Sequence, residues 1–396
     1  MAANSITMPL SPFITTLIKI EANLSSANNK ERLPELELIR GISMLGVIGI
    51  HIGSQYLMNP TPNIHLVALF EIFTRFSVPI FFFVSAFGLF WQRNLDETID
   101  YRSFYLRRAK SVLIPYLFWS FFYIFHYTVL YRSTMLLHVR EIIKYLIFGF
   151  GSYQLYFMVI LMWFYILMPL WISIVKRLTI RSLAILLIVQ IAFDYWSCYI
   201  LKPSFFSNPY ISYLVAQRLN YWVMHYFFIF LTGAYCAVHW NDFKAFIDSN
   251  LRPLLLFFLI TAGGLLGHYY YLVKCAGYRP EWAINVAQQL SPVGILYTLA
   301  SSLFFFSFFR SSSLPAFLSK LLGICGYHSY FAYLFHPVMI TYVGFVVADL
   351  GHVHTAPVII CYYIAVAAGS VLVGSVLRKI GHRYPLINEL TIGTAK

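Results

Sequence analysis

The sequence predicts an all-α polytopic membrane protein, and three observations carry the prediction. Of 396 residues, 60% are hydrophobic and only 11% charged, against roughly 25% charged residues in a soluble domain. Apolar stretches of about 20 residues, the length that crosses a bilayer core, recur almost from end to end. The basic residues are also unevenly shared between the segments that join those stretches.

Hydropathy gives about ten spans, near 36–58, 70–91, 112–131, 153–174, 182–201, 219–238, 253–272, 289–309, 326–348 and 355–377. An even number leaves both termini on one side. With that side cytoplasmic, 20 of the 28 Lys and Arg residues fall on it and seven on the other, the bias that orients membrane proteins. The formal charge of +13 is therefore mostly topology, and no nucleic-acid partner is expected. The division that follows is a cytoplasmic or interfacial N-terminal tail over 1–34, one transmembrane domain over 35–378 and a cytoplasmic C-terminal tail over 379–396. Within the first tail, Pro9 to Ile20 is too short and interrupted to span, and no basic region precedes it as in a signal peptide.

The first span carries Glu37, Arg40 and His51. Eleven positions separate the arginine from the histidine, which is roughly 16 Å along a helix. If Arg40 lies at the membrane surface, His51 lies near the middle, where an ionisable side chain is costly unless it serves a polar site. Glu37 is placed to pair with Arg40 at i,i+3. In the second span Arg75 sits a few residues inside the outer boundary, four after Glu71, with which it can pair. Between spans two and three lies the densest basic cluster: Arg93, Arg102, Arg107, Arg108 and Lys110. Guanidinium forks suit phosphate oxygens, so an anionic ligand can dock here, although topology alone also supplies such a cluster.

Residues 132–152 are too polar to cross, and Glu141 to Ile147 reads as an amphipathic helix lying on the outer surface. Gln154 and Tyr156 open the fourth span, where both can hydrogen-bond a ligand at the outer mouth of a cavity or anchor the interface. The five cysteines are scattered without a paired C-x-x-C spacing, and no metal site is expected. In the ninth span His336 lies about ten residues, roughly 15 Å, beyond the cytoplasmic start, which matches the depth of His51. Pro337 follows it and withdraws a backbone donor beside the imidazole. One buried histidine often just bonds a neighbouring helix, but two at matched depth in different helices point to a shared cavity.

Together these stretches resemble a known family of membrane acyltransferases, acyltransferase family 3. The blocks are Glu37 with Arg40 to His51, Arg75-Phe-Ser-Val-Pro-Ile-Phe-Phe-Phe-Val-Ser85, Arg107-Arg108 to Pro115, Gln154-Leu-Tyr-Phe157 and Gly326 to Pro337. Ala86 stands where relatives commonly have glycine, and Gln154 where many have histidine. Unlike fused members, this sequence carries no soluble hydrolase-like domain after the last span, so it would act alone or with a separate partner.

The resemblance implies acyl transfer from acyl-CoA, most often acetyl-CoA, entering from the cytoplasm, to a hydroxyl of a surface polysaccharide sugar or a lipid-linked sugar. It implies that Arg107 and Arg108 hold the nucleotide end of the donor, with Glu37 and Arg40 at the same mouth. His51 would be the general base or carry the acyl group briefly, His336 would orient the acceptor or share the proton, and Arg75 would stabilise developing negative charge. The plasma (inner) membrane, its lipids, and glycan-assembly proteins or a second copy are the implied surroundings. The rival class is a secondary transporter or flippase using the midplane histidines as a proton relay. No inverted repeat supports it.

Overall fold

The computed structural model describes residues 33–57, 63–132, 138–311, 314–349 and 355–394; the tail expected over 1–34, including Pro9 to Ile20, lies outside them but for its last two residues. Among the described residues every regular element is a helix. That is what an apolar chain in lipid requires, since a helix satisfies its backbone groups within one segment.

The first span is α1 (Pro34–Leu57). The second is formed by α2 (Ile64–Thr74) and α3 (Ser77–Phe90), and begins six residues earlier than hydropathy suggests. Next come α4 (Tyr101–Arg108) and α5 (Ile114–Tyr131), fused through a π-helical turn at Ala109–Leu113. The Asp100 carboxylate caps α4 by accepting from the Ser103 backbone N–H at 3.1 Å, and the Ser103 hydroxyl donates to the same side chain. The expected surface helix is α6 (Val139–Phe148), closed by Gly149 at φ 73°. In α7 (Tyr156–Ile166) and α8 (Met168–Val175) one span is bent by 64°. Pro169 in the first turn of α8 supplies the cause, because it cannot donate to the preceding turn.

The chain continues through α9 (Ile180–Tyr195), α10 (Pro209–Ala216), α11 (Phe227–Val238), α12 (Trp240–Ser249), α13 (Leu251–Lys274), α14 (Pro280–Val286), α15 (Pro292–Ser311), α16 (Ala316–Tyr327), α17 (Ser329–Asp349), α18 (Ala356–Arg383) and α19 (Pro385–Ile392). Among the described residues eight helical stretches are long and apolar enough to cross a membrane, or nine if the bent pair is one span. The remaining predicted span, the sixth at 219–238, holds the shorter apolar α11 preceded by two 3-10 turns. The protein is thus a multi-pass membrane protein. The segment expected as a C-terminal tail differs: α18 continues to Arg383, and α19 turns at Pro385 and docks on α5, where Trp119 Nε1 donates to the Thr391 carbonyl at 3.1 Å. Burial of Asn388 and Ile392 holds it there.

Burial sorts the helices into a centre and a rim. In Ile64–Phe90 and Pro292–Ser311, 67% of the apolar window is buried, against 22% in Ile180–Ile200, Leu251–Lys274 and Ala356–Arg383. The second group turns its Leu, Ile and Val side chains outward, as lipid-facing helices do. Glycines set the closest approaches at the centre. A Cβ at Gly326 would overlap the Glu37 carbonyl, and one at Gly41 the Leu322 carbonyl, so α1 and α16 meet backbone to backbone beside Arg40. Arg310 ties the same end together, donating to Glu35 at 3.0 Å and to Asp248 at 2.7 Å.

Candidate active site

Two imidazoles from distant parts of the chain meet at the centre. His51 on α1 and His336 on α17 stack with ring centroids 5.3 Å apart and planes inclined by 22°. His336 is completely buried. Its Nδ1 lies 3.1 Å from the Ala332 carbonyl; a carbonyl only accepts, so Nδ1 carries the proton and Nε2 presents a bare lone pair. That Nε2 is buried and has no hydrogen-bond partner among the described residues. Pro337 lies inside α17 and cannot bond the Tyr333 carbonyl one turn back, which loosens the backbone beside the ring.

Tyr153 stands against the pair, its ring 4.4 Å from that of His51 and 6.2 Å from that of His336. It is 42% exposed and borders a cavity of about 670 Å³ that also meets Tyr56, Tyr127, Tyr131, Tyr145 and Tyr362. Gln154, expected at a cavity mouth, points the other way. It is buried, and its Nε2 donates to the Leu334 carbonyl at 3.4 Å, an oxygen that also accepts from the Tyr123 hydroxyl at 2.6 Å. The Tyr333 hydroxyl donates to the Gln154 backbone carbonyl. Gln154 therefore braces α17 one turn before His336, and Tyr153 occupies the mouth. Tyr156 meets Tyr226 and lies within electrostatic reach of Arg75 rather than on the cavity.

Arg75 is buried, as its position inside the span requires, and its partner is the expected one: Nη2 donates to Glu71 Oε1 at 2.5 Å, with a longer bond of 3.4 Å to the Ile284 carbonyl. Its Nε–H is buried without a hydrogen-bond partner among the described residues. A Cβ at Gly53, two residues beyond His51, would lie 3.2 Å from Glu71 Oε2, so the ion pair sits tightly against the histidine helix. The Arg75 charge lies within electrostatic reach of the His51 ring.

The other end of α1 is basic. Arg40 is open to solvent and passes over Gly88, where a Cβ would stand 3.9 Å from its Nη2. The Arg108 guanidinium packs on Phe104 and Tyr165 with centroid distances of 5.5 and 5.2 Å, and Tyr165 also feels the Arg40 charge. Arg107 is exposed. Arg93 donates from Nε to the Leu89 carbonyl at 3.1 Å; burial, and then the Arg108 and Arg107 charges, lower its pKa. Among the described residues no ion pair within 4 Å engages any of these four, while nearby Asp96 faces Lys176 at 3.6 Å. Glu37 makes no such pair with Arg40 and acts on it through space, its carbonyl being pressed against Gly326. Between this mouth and the histidines stand Tyr165, Tyr330 and Tyr333, each in electrostatic reach of the next. The buried Tyr330 hydroxyl has no hydrogen-bond partner among the described residues.

A second buried polar cluster, not evident from the sequence, joins α9 to the turns before α11. His225 Nδ1 lies 2.6 Å from Asp194 Oδ1, Gln190 donates to Asp194 Oδ2 at 2.7 Å, and His225 Nε2 faces the Ser197 hydroxyl at 3.4 Å. Arg218 donates to that hydroxyl at 3.0 Å and to the carbonyls of Val215, Ser197 and Leu201 at 2.7, 2.5 and 3.3 Å. Among the described residues no three His, Cys, Asp or Glu side chains gather as metal ligands would.

Residues 33–375 match the model of acyltransferase family 3, described as an acyltransferase domain. The match covers most of the chain, which belongs to this family and is a membrane acyltransferase. Comparisons with curated proteins and with solved structures gave no match.

Proposed function

We propose that the protein moves an acyl group, most simply acetyl, from cytoplasmic acyl-CoA to a hydroxyl of an extracytoplasmic or lipid-linked polysaccharide sugar. In this reading it sits in the plasma (inner) membrane with both termini cytoplasmic, and it meets glycan-assembly proteins or a second copy of itself there. The observation that carries the proposal is the stacked His51–His336 pair with Nε2 of His336 bare. It lies between a guanidinium cluster at one end of α1 and a tyrosine-lined cavity at the other.

Arg107 and Arg108, with Arg40 and Arg93 beside them, hold the phosphates of the donor, whose anionic charge relieves their mutual repulsion. The tyrosine hydroxyls of Tyr165 and Tyr330 line the way inward. One imidazole of the pair takes the proton of the acceptor hydroxyl as its oxygen attacks the thioester carbonyl. The buried Arg75 Nε–H supplies positive field to the oxyanion of the tetrahedral intermediate. Collapse expels the CoA thiolate, and the imidazolium returns its proton to that sulfur. An acyl-imidazole on His51 is the two-step form of the same transfer.

The test uses the purified full chain in vesicles with radiolabelled acetyl-CoA and a candidate glycan. Label transfer or thiol release that vanishes in His51→Ala supports the reading. A proton-relay transporter instead predicts turnover unaffected by that substitution together with histidine-dependent movement of solute.

A further inference from the structure

We infer that the cavity beside Tyr153 selects an uncharged sugar as the acyl acceptor; this rests on the acyl-transfer reading and narrows its substrate class. The described lining contains no Asp, Glu, Lys, Arg or His, although the volume of about 670 Å³ lies within the ~300–1,000 Å³ of small-molecule sites. An acceptor bearing a carboxylate or phosphate would leave water there without a countercharge, which is unfavourable. Arg75, the cation within electrostatic reach of His51, is paired with Glu71.

Two of the lining hydroxyls point to the same conclusion. Tyr362 donates to the Ile340 carbonyl at 2.6 Å and Thr341 to the Pro337 carbonyl at 2.9 Å. Their remaining capacity is the oxygen lone pairs, which accept from a sugar O–H and repel an anion. The tyrosine faces meet the C–H faces of a pyranose, and the partly exposed ring of Tyr153 is the platform nearest the imidazoles. A ring seated on it carries its hydroxyls to the histidine pair. Tyr153 is therefore a positioning and specificity residue.

The experiment gives the purified full chain acetyl-CoA and methyl 6-deoxyglucopyranoside or methyl glucopyranosiduronate, which differ only as methyl against carboxylate at C6. The matching galacto and manno pairs are run alongside. Ester formation and thiol release are both recorded. In at least one pair the neutral sugar should exceed its acid in kcat/KM by about tenfold or more, a discrimination within reach of one buried unpaired group. Gln55→Lys, which adds a cation to the lining, should narrow the ratio. Tyr153→Leu should raise acceptor KM, and Tyr153→Phe, which keeps the ring, should restore it. Equal or better use of the acids, or no neutral sugar accepting while His51-dependent thiol release continues, overturns the inference and leaves acyl transfer standing. Loss of the His51 dependence itself would remove the acyl-transfer reading instead.

Discussion

His225 and His336 are both buried in the helical bundle, and their surroundings differ in one respect. His225 and the side chains that bond it are answered: Asp194 binds both His225 and Gln190, Ser197 meets the other ring nitrogen, and Arg218 directs its donors at Ser197 and three carbonyls, although Gln289 Oε1 and Thr298 Oγ1 nearby find no partner among the described residues. Around His336 buried polar atoms find no partner among the described residues, namely its own Nε2, Arg75 Nε, Glu71 Oε2 and Gln154 Oε1. A satisfied network holds α9 against the turns before α11 and has nothing left to offer a substrate. An unsatisfied one stores hydrogen-bonding capacity in a place where leaving it unmet is costly, which is what a site awaiting a ligand looks like. Histidine alone does not distinguish a brace from a reaction centre; the partners of its second nitrogen do.

Substitutions in the two regions should part along that line. The largest effect is expected for His51→Ala, which should lower acyl transfer by about 10²–10⁴-fold, the usual share of general acid–base catalysis. Its thermal unfolding in detergent should match that of the wild type, because no hydrogen bond to the described residues is lost. Asp194→Ala should do the reverse. Removing one partner of a buried hydrogen-bonded pair leaves the other unsatisfied at a cost of about 1–3 kcal/mol, visible as a lowered unfolding temperature, whereas turnover per folded molecule should hold.

Smaller effects belong to the basic mouth. Arg107→Ala with Arg108→Ala should raise donor KM about tenfold with kcat nearly kept, as for binding shared by ground and transition states. The salt dependence of KM should flatten in the same variant. The smallest effect is that of Asp100→Ala, which uncaps the helix carrying both arginines and should raise donor KM slightly. Hydrogen bonds from Ser103 hold the Asp100 carboxyl below the ordinary aspartate range. Its cap is therefore complete above the unfolded value and fades as pH falls through the lowered folded one. The difference between Asp100→Ala and wild type should shrink over that acid window when KM is followed with pH.

Much of the centre was legible in the sequence because helical rise is uniform. Counting residues from the ends of two spans was enough to bring His51 and His336 to one depth, and i,i+4 spacing was enough to pair Arg75 with Glu71. The basic cluster was legible for the same reason, since arginines beside a span end can only gather at one mouth. What escaped lies where the backbone leaves regular helix. The turn from Gly149 to Leu155 decides that Tyr153, not Gln154, faces the cavity, and no periodicity reports that rotation. The Asp194–His225 pair spans 31 positions and depends on 3-10 turns that hydropathy reads as part of a span. The docked α19 is too short to register as an element, and only its contacts with Trp119 and α5 reveal it.

The most direct measurement is the acyl-transfer rate of His336→Gln beside that of His225→Gln, each normalised to folded full-length protein, with acetyl-CoA and one accepting sugar. If the bare Nε2 marks the reaction centre, the first variant loses about a hundredfold or more and the second stays close to wild type. Comparable losses in both, or a greater loss at His225, would contradict the assignment of the reaction to the His51–His336 pair.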